Sequence, residues 1–277
     1  MRTIPLLKPQ CQVFALVRNS SIRTRLRALG IVPLLGDLDD RVTLTRFAGL
    51  ADTVLHFAPP QGQGEHDLRT RNLLAALSRA QPPGHFVYIS TSGVYGDCGG
   101  ARVSETHSLH PQTARAQRRT DAEQQIHGWA KRNNVRATIL RVPGIYALDR
   151  MPLERLRAAC PAIVRDADSY TNHIHADDLA RIVVAALRYG KACRVYHASD
   201  DSEMKMGDYF DAVADAHKLS RPSRLPREEV ERIVAPALWS FMNESRRLTN
   251  ERMKKELQVA LRYPTVTDML SVIVPRC

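Results

Sequence analysis

The chain has 277 residues, 44% of them hydrophobic and 25% charged, with 40 Lys+Arg against 29 Asp+Glu and a formal charge of +11. That mixture excludes a disordered chain, a collagen and a coiled coil, and no apolar run approaches the ~20 residues of a membrane span. The cations are 33 Arg and 7 Lys, scattered through every segment with acids nearby; they read as a solvated basic surface suited to an anionic ligand, and nucleic acid is not an expected partner.

The elements follow in chain order. Gln12 to Val17 reads as a buried strand broken by Arg18-Asn19-Ser20. Ile22 to Leu29 reads as a helix closed by Gly30. A second strand covers Ile31 to Leu35 and stops at Gly36-Asp37, and Val42 to Leu50 suits a helix. Thr53 to Ala58 is a third strand, ended by Pro59-Pro60. An amphipathic helix is expected over Asp67 to Ala80, with Leu68, Leu73, Leu74 and Leu77 on one side. Phe86 to Thr91 is a fourth strand, Thr113 to Arg132 a long helix, and Val135 to Val142 a fifth strand.

The second half is less regular. Helices are expected over Pro152–Cys160, Leu179–Tyr189, Met206–His217, Arg227–Val234, Arg247–Leu257 and from Thr265 onward, with a strand over Cys193–Ala198. Strands alternate with helices, and the strands are continuous apolar runs. That predicts an α/β fold: a Rossmann-like, doubly wound parallel sheet covered on both faces. Ligands of such sheets lie beyond the carboxyl ends of the strands. The expected division is a dinucleotide-binding part over 1–148 and a smaller substrate-binding lobe over 149–277, interleaved with the same sheet.

Cys11, Cys98, Cys160, Cys193 and Cys277 form no Cys-x-x-Cys pair, so neither zinc nor a disulfide framework is expected. Reduced thiols, and an N-terminus without a signal-peptide pattern, suit a cytoplasmic protein. Cys98 is either a nucleophile or an ordinary loop cysteine. His173-x-His175 has metal-pair spacing but no third ligand in view, and no metal is expected.

Several segments carry a specific resemblance: Gly36-Asp37-Leu38-Asp39, Val54 to Ala58, Thr70 to Leu74, Val87 to Asp97, Leu140 to Tyr146, and His173 to Ala180. In this order and spacing the chain resembles an extended short-chain dehydrogenase/reductase of the NAD-dependent epimerase/dehydratase family. The resemblance implies NADP or NAD as cofactor. Arg18, where an acid would bind the adenosine ribose, favours a 2′-phosphate and so NADP; otherwise it is simply an exposed residue. Asp37 and Leu38 would contact adenine; the alternative for Asp37 is a turn cap. Phe57, Ala58, Pro59, Pro143 and Ile145 would line the cofactor. Thr91, flanked by Ser90 and Ser92, would bind the substrate oxygen; otherwise it is an ordinary strand residue. Asn72, Tyr146 and His175 would face the substrate.

Two departures matter. The family's Tyr-x-x-x-Lys pair falls on Arg115 and Arg119. Arginine stays protonated above pH 12, so Arg115 cannot be the acid/base, while Arg119 keeps the positive charge. Tyr95 or Tyr146 would then supply the proton; otherwise both simply pack or line the pocket. The candidate catalytic set is Thr91, Ser92, Tyr95, Arg115 and Arg119, in the manner of atypical members that lack the tyrosine. The second departure is the opening strand with its Gly-x-x-Gly-x-x-Gly turn. Residues Arg2 to Lys8 match only the end of the first family helix, so the first strand is expected to be absent and Met1 to be a late start. The expected activity is oxidoreductase or epimerase/dehydratase chemistry on a sugar nucleotide or another small carbonyl or hydroxyl compound. A non-catalytic NADP-binding sensor and an inactive truncated member are the alternatives. A small-molecule substrate is the expected partner, and a homodimer is compatible with the reading.

Overall fold

The computed structural model describes residues 1–7 and 11–273. Lys8 and Cys277, both read above, lie outside them. The first half holds α1 (Ile4–Leu7), β1 (Phe14–Val17), α2 (Arg23–Ala28), β2 (Val32–Leu35), β3 (Thr53–His56), α3 (Leu68–Leu77), β4 (His85–Thr91), β5 (Arg102–Val103), α4 (Ala114–Asn133), β6 (Arg136–Val142) and β7 (Gly144–Tyr146). The second holds α5 (Leu153–Arg157), β8 (Ala162–Ile163), β9 (Tyr170–Thr171), β10 (His173–His175), α6 (Ala176–Tyr189), β11 (Arg194–His197) and β12 (Met204–Lys205). It ends with α7 (Met206–Ala216), β13 (Arg224–Leu225), α8 (Arg227–Ile233), α9 (Pro236–Met242), β14 (Arg247–Leu248), α10 (Glu251–Leu257) and α11 (Val266–Leu270).

The α/β reading holds, with local corrections. Val42 to Leu50 is not an α-helix: residues Arg41–Phe47 form 3₁₀ turns started by the Asp40 side chain, which accepts from Val42 N. The helix expected over Arg247–Leu257 is split. Its first residues pair as β14 with β5, Arg247 opposite Arg102, and only Glu251–Leu257 is helical. Pairing in the tertiary structure overrides the local helical pattern here. Helix α9 was not expected, although Pro236 at its first turn is a helix-start signal.

The main sheet is parallel in the order β11-β6-β4-β3. Strand β11 comes from the second half of the chain, so both halves build one sheet. Alternate residues serve two cores. Phe86, Tyr88, Ala137 and Ile139 pack with Leu73, Leu74, Ile126 and Trp129 of α3 and α4. Val87, Leu140 and Val142 pack on the other face with Ile182, Val183, Met253 and Leu257 of α6 and α10. Burial on both faces explains why the strands read as unbroken apolar runs.

Strands β1 and β2 pair with each other in parallel but form a separate sheet, hydrogen-bonded to neither edge of the main one among the described residues. Side chains make the link: Leu16 packs on the core that holds Leu44, and Val54 of β3 packs there too. Two polar ties reinforce it. Arg69 of α3 grips Asp39 through Nε and Nη2, both at 2.7 Å. Asn72 Nδ2 donates to Leu38 O at 2.8 Å.

Beneath the carboxyl ends of β4 and β6 lies a buried ion pair. Arg141 donates to Glu123 of α4 through Nη2 at 2.7 Å and Nε at 3.1 Å, with both side chains buried. Ser90 Oγ donates to the same carboxylate at 2.5 Å. Arg141 Nη1 also donates to Tyr95 Oη at 2.6 Å, and Tyr95 Oη meets His197 Nε2 at 2.6 Å. Burial of two charges is costly, and removing one partner leaves the other unpaired. We expect Arg141→Met to lower stability by about 3–5 kcal/mol in urea melts, and the Arg141→Met/Glu123→Leu double variant to recover most of that loss. A double variant no better than the single would show that the pair is more than mutual neutralisation.

Candidate functional site

Strand β4 ends at Thr91, and the chain turns at once into a 3₁₀ turn over Ser92–Tyr95. Thr91 Oγ1 accepts from Gly93 N at 3.3 Å, which shapes this turn. Among the described residues no acceptor takes the Thr91 hydroxyl proton, so it is free to be donated. The turn closes at Gly96, with φ +65, where an added Cβ would lie 2.3 Å from His110 O. Only glycine fits there.

A cavity of about 230 Å³ opens above this turn. Thr91, Ser92 and Arg115 form one wall, and Pro143, Ile145 and Tyr146 of the segment after β6 form another. The second half of the chain closes it with Asn172, His173, Tyr209, Phe241, Glu244 and Arg246. The Arg115 guanidinium stands over the Phe241 ring, 4.1 Å from its centre. Its partial burial lowers its pKa from the usual arginine value, yet it remains a cation at neutral pH. Arg246 Nη1 bonds Glu244 Oε2 at 2.8 Å and Gly96 O at 2.6 Å, while its buried Nε has no partner. Two guanidinium groups thus face one cavity with a single carboxylate between them.

Other sequence candidates stand elsewhere. Tyr95 is fully buried, held by Arg141 and His197, and does not line the cavity. Burial pushes its hydroxyl up to about 12, although Arg141 opposes this. Arg119 donates to Tyr88 Oη at 2.9 Å and Ile89 O at 2.7 Å, beneath the site rather than in it. His175 caps α6 by accepting from Asp177 N and packs between Tyr146 and Tyr263, outside the cavity lining. Asn72 is occupied by Leu38 O. The Cys98 thiol is pushed up by burial, which disfavours a thiolate nucleophile.

Arg18 and Asp37 line a second, shallow depression with Asn19, Ser20 and Leu35, at the carboxyl ends of β1 and β2. Phe57 is exposed, Ala58 packs on the core, and Pro59 O accepts from Arg69 at 3.2 Å. These residues suit the adenosine end of a dinucleotide, and the cavity suits its nicotinamide end. Between them the described residues provide no glycine cradle for a pyrophosphate. Gly62 and Gly64 stand in a loop with nothing within 4 Å of an added Cβ, so no close backbone approach is built there. The residues therefore fit the two ends of the group and not its middle.

Sequence reasoning expected substrate contacts from the second half and singled out His173-x-His175, of which His173 lines the cavity, but it missed Asn172, Tyr209, Phe241, Glu244 and Arg246. The available signals were a proline-started apolar run at Pro236–Met242 and the close acid and base at Glu244 and Arg246. Neither points to a site without the fold.

The chain can be compared with known proteins on this basis. Residues 5–198 match the model of the NAD dependent epimerase/dehydratase family. GDP-6-deoxy-D-mannose reductase of Pseudomonas aeruginosa is 26% identical over 186 residues, which is 60% of this chain and 61% of that protein, less than two thirds of its length. A functionally unknown conserved protein from Silicibacter pomeroyi superposes with a TM-score of 0.78 at 26% identity, covering 98% of this chain and 93% of that one. UDP-glucuronic acid 4-epimerase from Bacillus cereus, in complex with UDP-glucuronic acid and NAD, superposes with a TM-score of 0.76 at 19% identity, covering 97% and 92%. No described helix is long and apolar enough to cross a membrane.

Burial holds His56, His173 and His197 neutral, each with its pKa pushed down to about 3. An unfolded histidine takes its proton near 6.5, so these rings contribute stability above that pH and lose it as the pH falls toward 3. Each should cost about 2 kcal/mol at pH 5. Urea melts at pH 7 and pH 5 should show this fall, and His173→Phe should flatten it; an unchanged slope would show that His173 titrates normally.

Proposed function

The chain belongs to the NAD-dependent epimerase/dehydratase family, and from that premise we propose an oxidoreductase or epimerase/dehydratase-type activity at a carbonyl or hydroxyl carbon of a small anionic substrate. The sugar nucleotides named for the relatives define the first substrate class to test. The carrying observation is the Thr91 hydroxyl, free to donate, on one cavity with the Arg115 and Arg246 guanidinium groups. Thr91 would hold the substrate oxygen. The two cations would hold a phosphate or carboxylate, with Ser92 available to a hydroxyl group. A nicotinamide dinucleotide would supply or accept the hydride. Residues 1–148 would carry that cofactor and 149–277 most of the substrate contacts, in a cytoplasmic protein.

The Arg18 side chain supports NADP over NAD, because a guanidinium pairs with a 2′-phosphate and gains nothing from a free hydroxyl. A second reading is a non-catalytic NADP-binding sensor. The observation favouring it is Arg115 itself, a permanent cation at the position of the family's proton-transferring tyrosine. Binding and turnover separate the two readings.

Fluorescence titration with NADPH and NADH, followed by turnover on sugar-nucleotide and simple carbonyl panels, tests the proposal. Wild type should prefer NADPH, and Arg18→Ala should lose about 1.4 kcal/mol, a factor of ten, for NADPH alone. Thr91→Val should lower kcat about 100-fold with little change in KM. Binding without any turnover would favour the sensor, and no binding of either dinucleotide would overturn both readings.

A further inference from the structure

The segment that follows α9 is fastened to the loop that follows β4. Ser245 N donates to Asp97 Oδ1 at 2.8 Å, and Ser245 O accepts from Cys98 N and Gly100 N at 3.0 Å each. Tyr170 N donates to Ser245 Oγ at 3.0 Å, and Arg246 Nη1 reaches Gly96 O at 2.6 Å. These bonds set Glu244, one residue earlier, against the turn that carries Thr91. Glu244 Oε2 takes the other bond of Arg246 Nη1, at 2.8 Å. Glu244 Oε1 takes no bond among the described residues and, unlike the sealed Arg246 Nε, keeps accessible surface on a residue that lines the cavity.

Gly93, in the same turn, also lines the cavity. Its backbone does not demand glycine: its φ is not positive, and an added Cβ would meet nothing closer than 3.7 Å. That point lies 3.7 Å from Thr91 Oγ1 and 3.9 Å from Glu244 Oε2. Glycine therefore leaves an open place on the cavity floor, with the Thr91 hydroxyl on one side and the Glu244 carboxylate on the other. Thr91 has a proton to donate, whereas a carboxylate only accepts. A group between them must accept from the first and donate to the second. A hydroxyl does both. A carbonyl oxygen only accepts, and would face the carboxylate without a donor. Arg115, without an ion-pair partner among the described residues, stands in the same lining and suits an anionic end of the same molecule.

We propose that the place over Gly93 is a hydroxyl-recognition site and that Glu244 makes the chain select an anionic alcohol over the matching carbonyl compound. This rests on the carbonyl or hydroxyl chemistry proposed above and names the class of molecule that its cavity takes. Glu244 is the specificity-determining residue, and Arg246, which ties it to Gly96, is the positioning residue. A hydrogen bond to a charged acceptor is worth more than a neutral one, and a site that offers such an acceptor rejects a ligand that leaves it unpaired. The anchoring of Ser245 and Arg246 means that the carboxylate is in place before any ligand arrives.

Calorimetric titration of the full chain without any dinucleotide reads this choice directly. The probes are matched carboxylate pairs, lactate against pyruvate and 3-hydroxybutyrate against acetoacetate. In at least one pair the alcohol should bind about 10-fold more tightly than the ketone. Glu244→Gln should level that pair, because its amide donates to either oxygen while still accepting from Arg246. Gly93→Ala should unfold at the same urea concentration as wild type and yet lose about 10-fold or more in affinity for the alcohol, since the methyl group takes its place. Equal binding of alcohol and ketone in both pairs, binding of none of the four, or normal alcohol binding by Gly93→Ala overturns the proposal. Should Glu244→Gln fail to fold, the wild-type preference and Gly93→Ala decide alone. An alcohol preference in a chain that turns over no compound of the panels overturns the function proposed above and leaves the hydroxyl site standing. Turnover without that preference does the reverse.

Discussion

The Arg141–Glu123 pair is the fixed point of the molecule. One guanidinium, buried where β6 ends, joins α4, the end of β4, the turn at Tyr95 and the first residues after β5. Its field also settles the state of its neighbours. Arg141 donates to the Tyr95 oxygen, and the His197 Nδ1 proton is assigned by its carbonyl partner, Thr249 O at 2.8 Å. His197 Nε2 is then left to accept from Tyr95. Each group has one role, so the floor under Thr91 is rigid. A site resting on such a floor can hold Thr91 and Ser92 in place without help from a ligand.

The same rigidity explains why two tyrosines with similar sequence surroundings differ. Tyr95 is fully engaged in the buried network, whereas the hydroxyl of Tyr146 has no completed partner. Nothing in the local sequence separates them. The difference arises because Arg141 and His197 converge on Tyr95 from β6 and β11, while no such pair converges on the Tyr146 hydroxyl among the described residues.

The sheet was legible because its strands are buried on both faces, so Phe86 to Thr91 and Val135 to Val142 stand out as apolar runs. Thr91 and Arg115 were legible because strand ends and a helix face have fixed places in such a fold. Phe241, Glu244 and Arg246 were not. They come from turns and short helices whose placement depends on packing rather than on a period. Glu123 and Arg141 were hidden for a different reason: a charge inside an apolar segment shows its meaning only when its partner, 18 residues away, is seen beside it.

The separation of the two parallel sheets has a dynamic consequence. Backbone ladders resist opening cooperatively, whereas side-chain contacts yield piecemeal. The β1–β2 pair is joined to the rest through Leu16 and the Arg69 and Asn72 ties, and its strands are only partly buried. The part carrying Arg18 and Asp37 therefore sits at the lower end of the local stability range, and the Thr91 part at the upper end. Amide hydrogens would exchange sooner in the first than in the second. A ligand touching both would find one half of its site preformed and would have to order the other, so its measured affinity would report the stiffness of β1–β2 as much as the quality of its contacts.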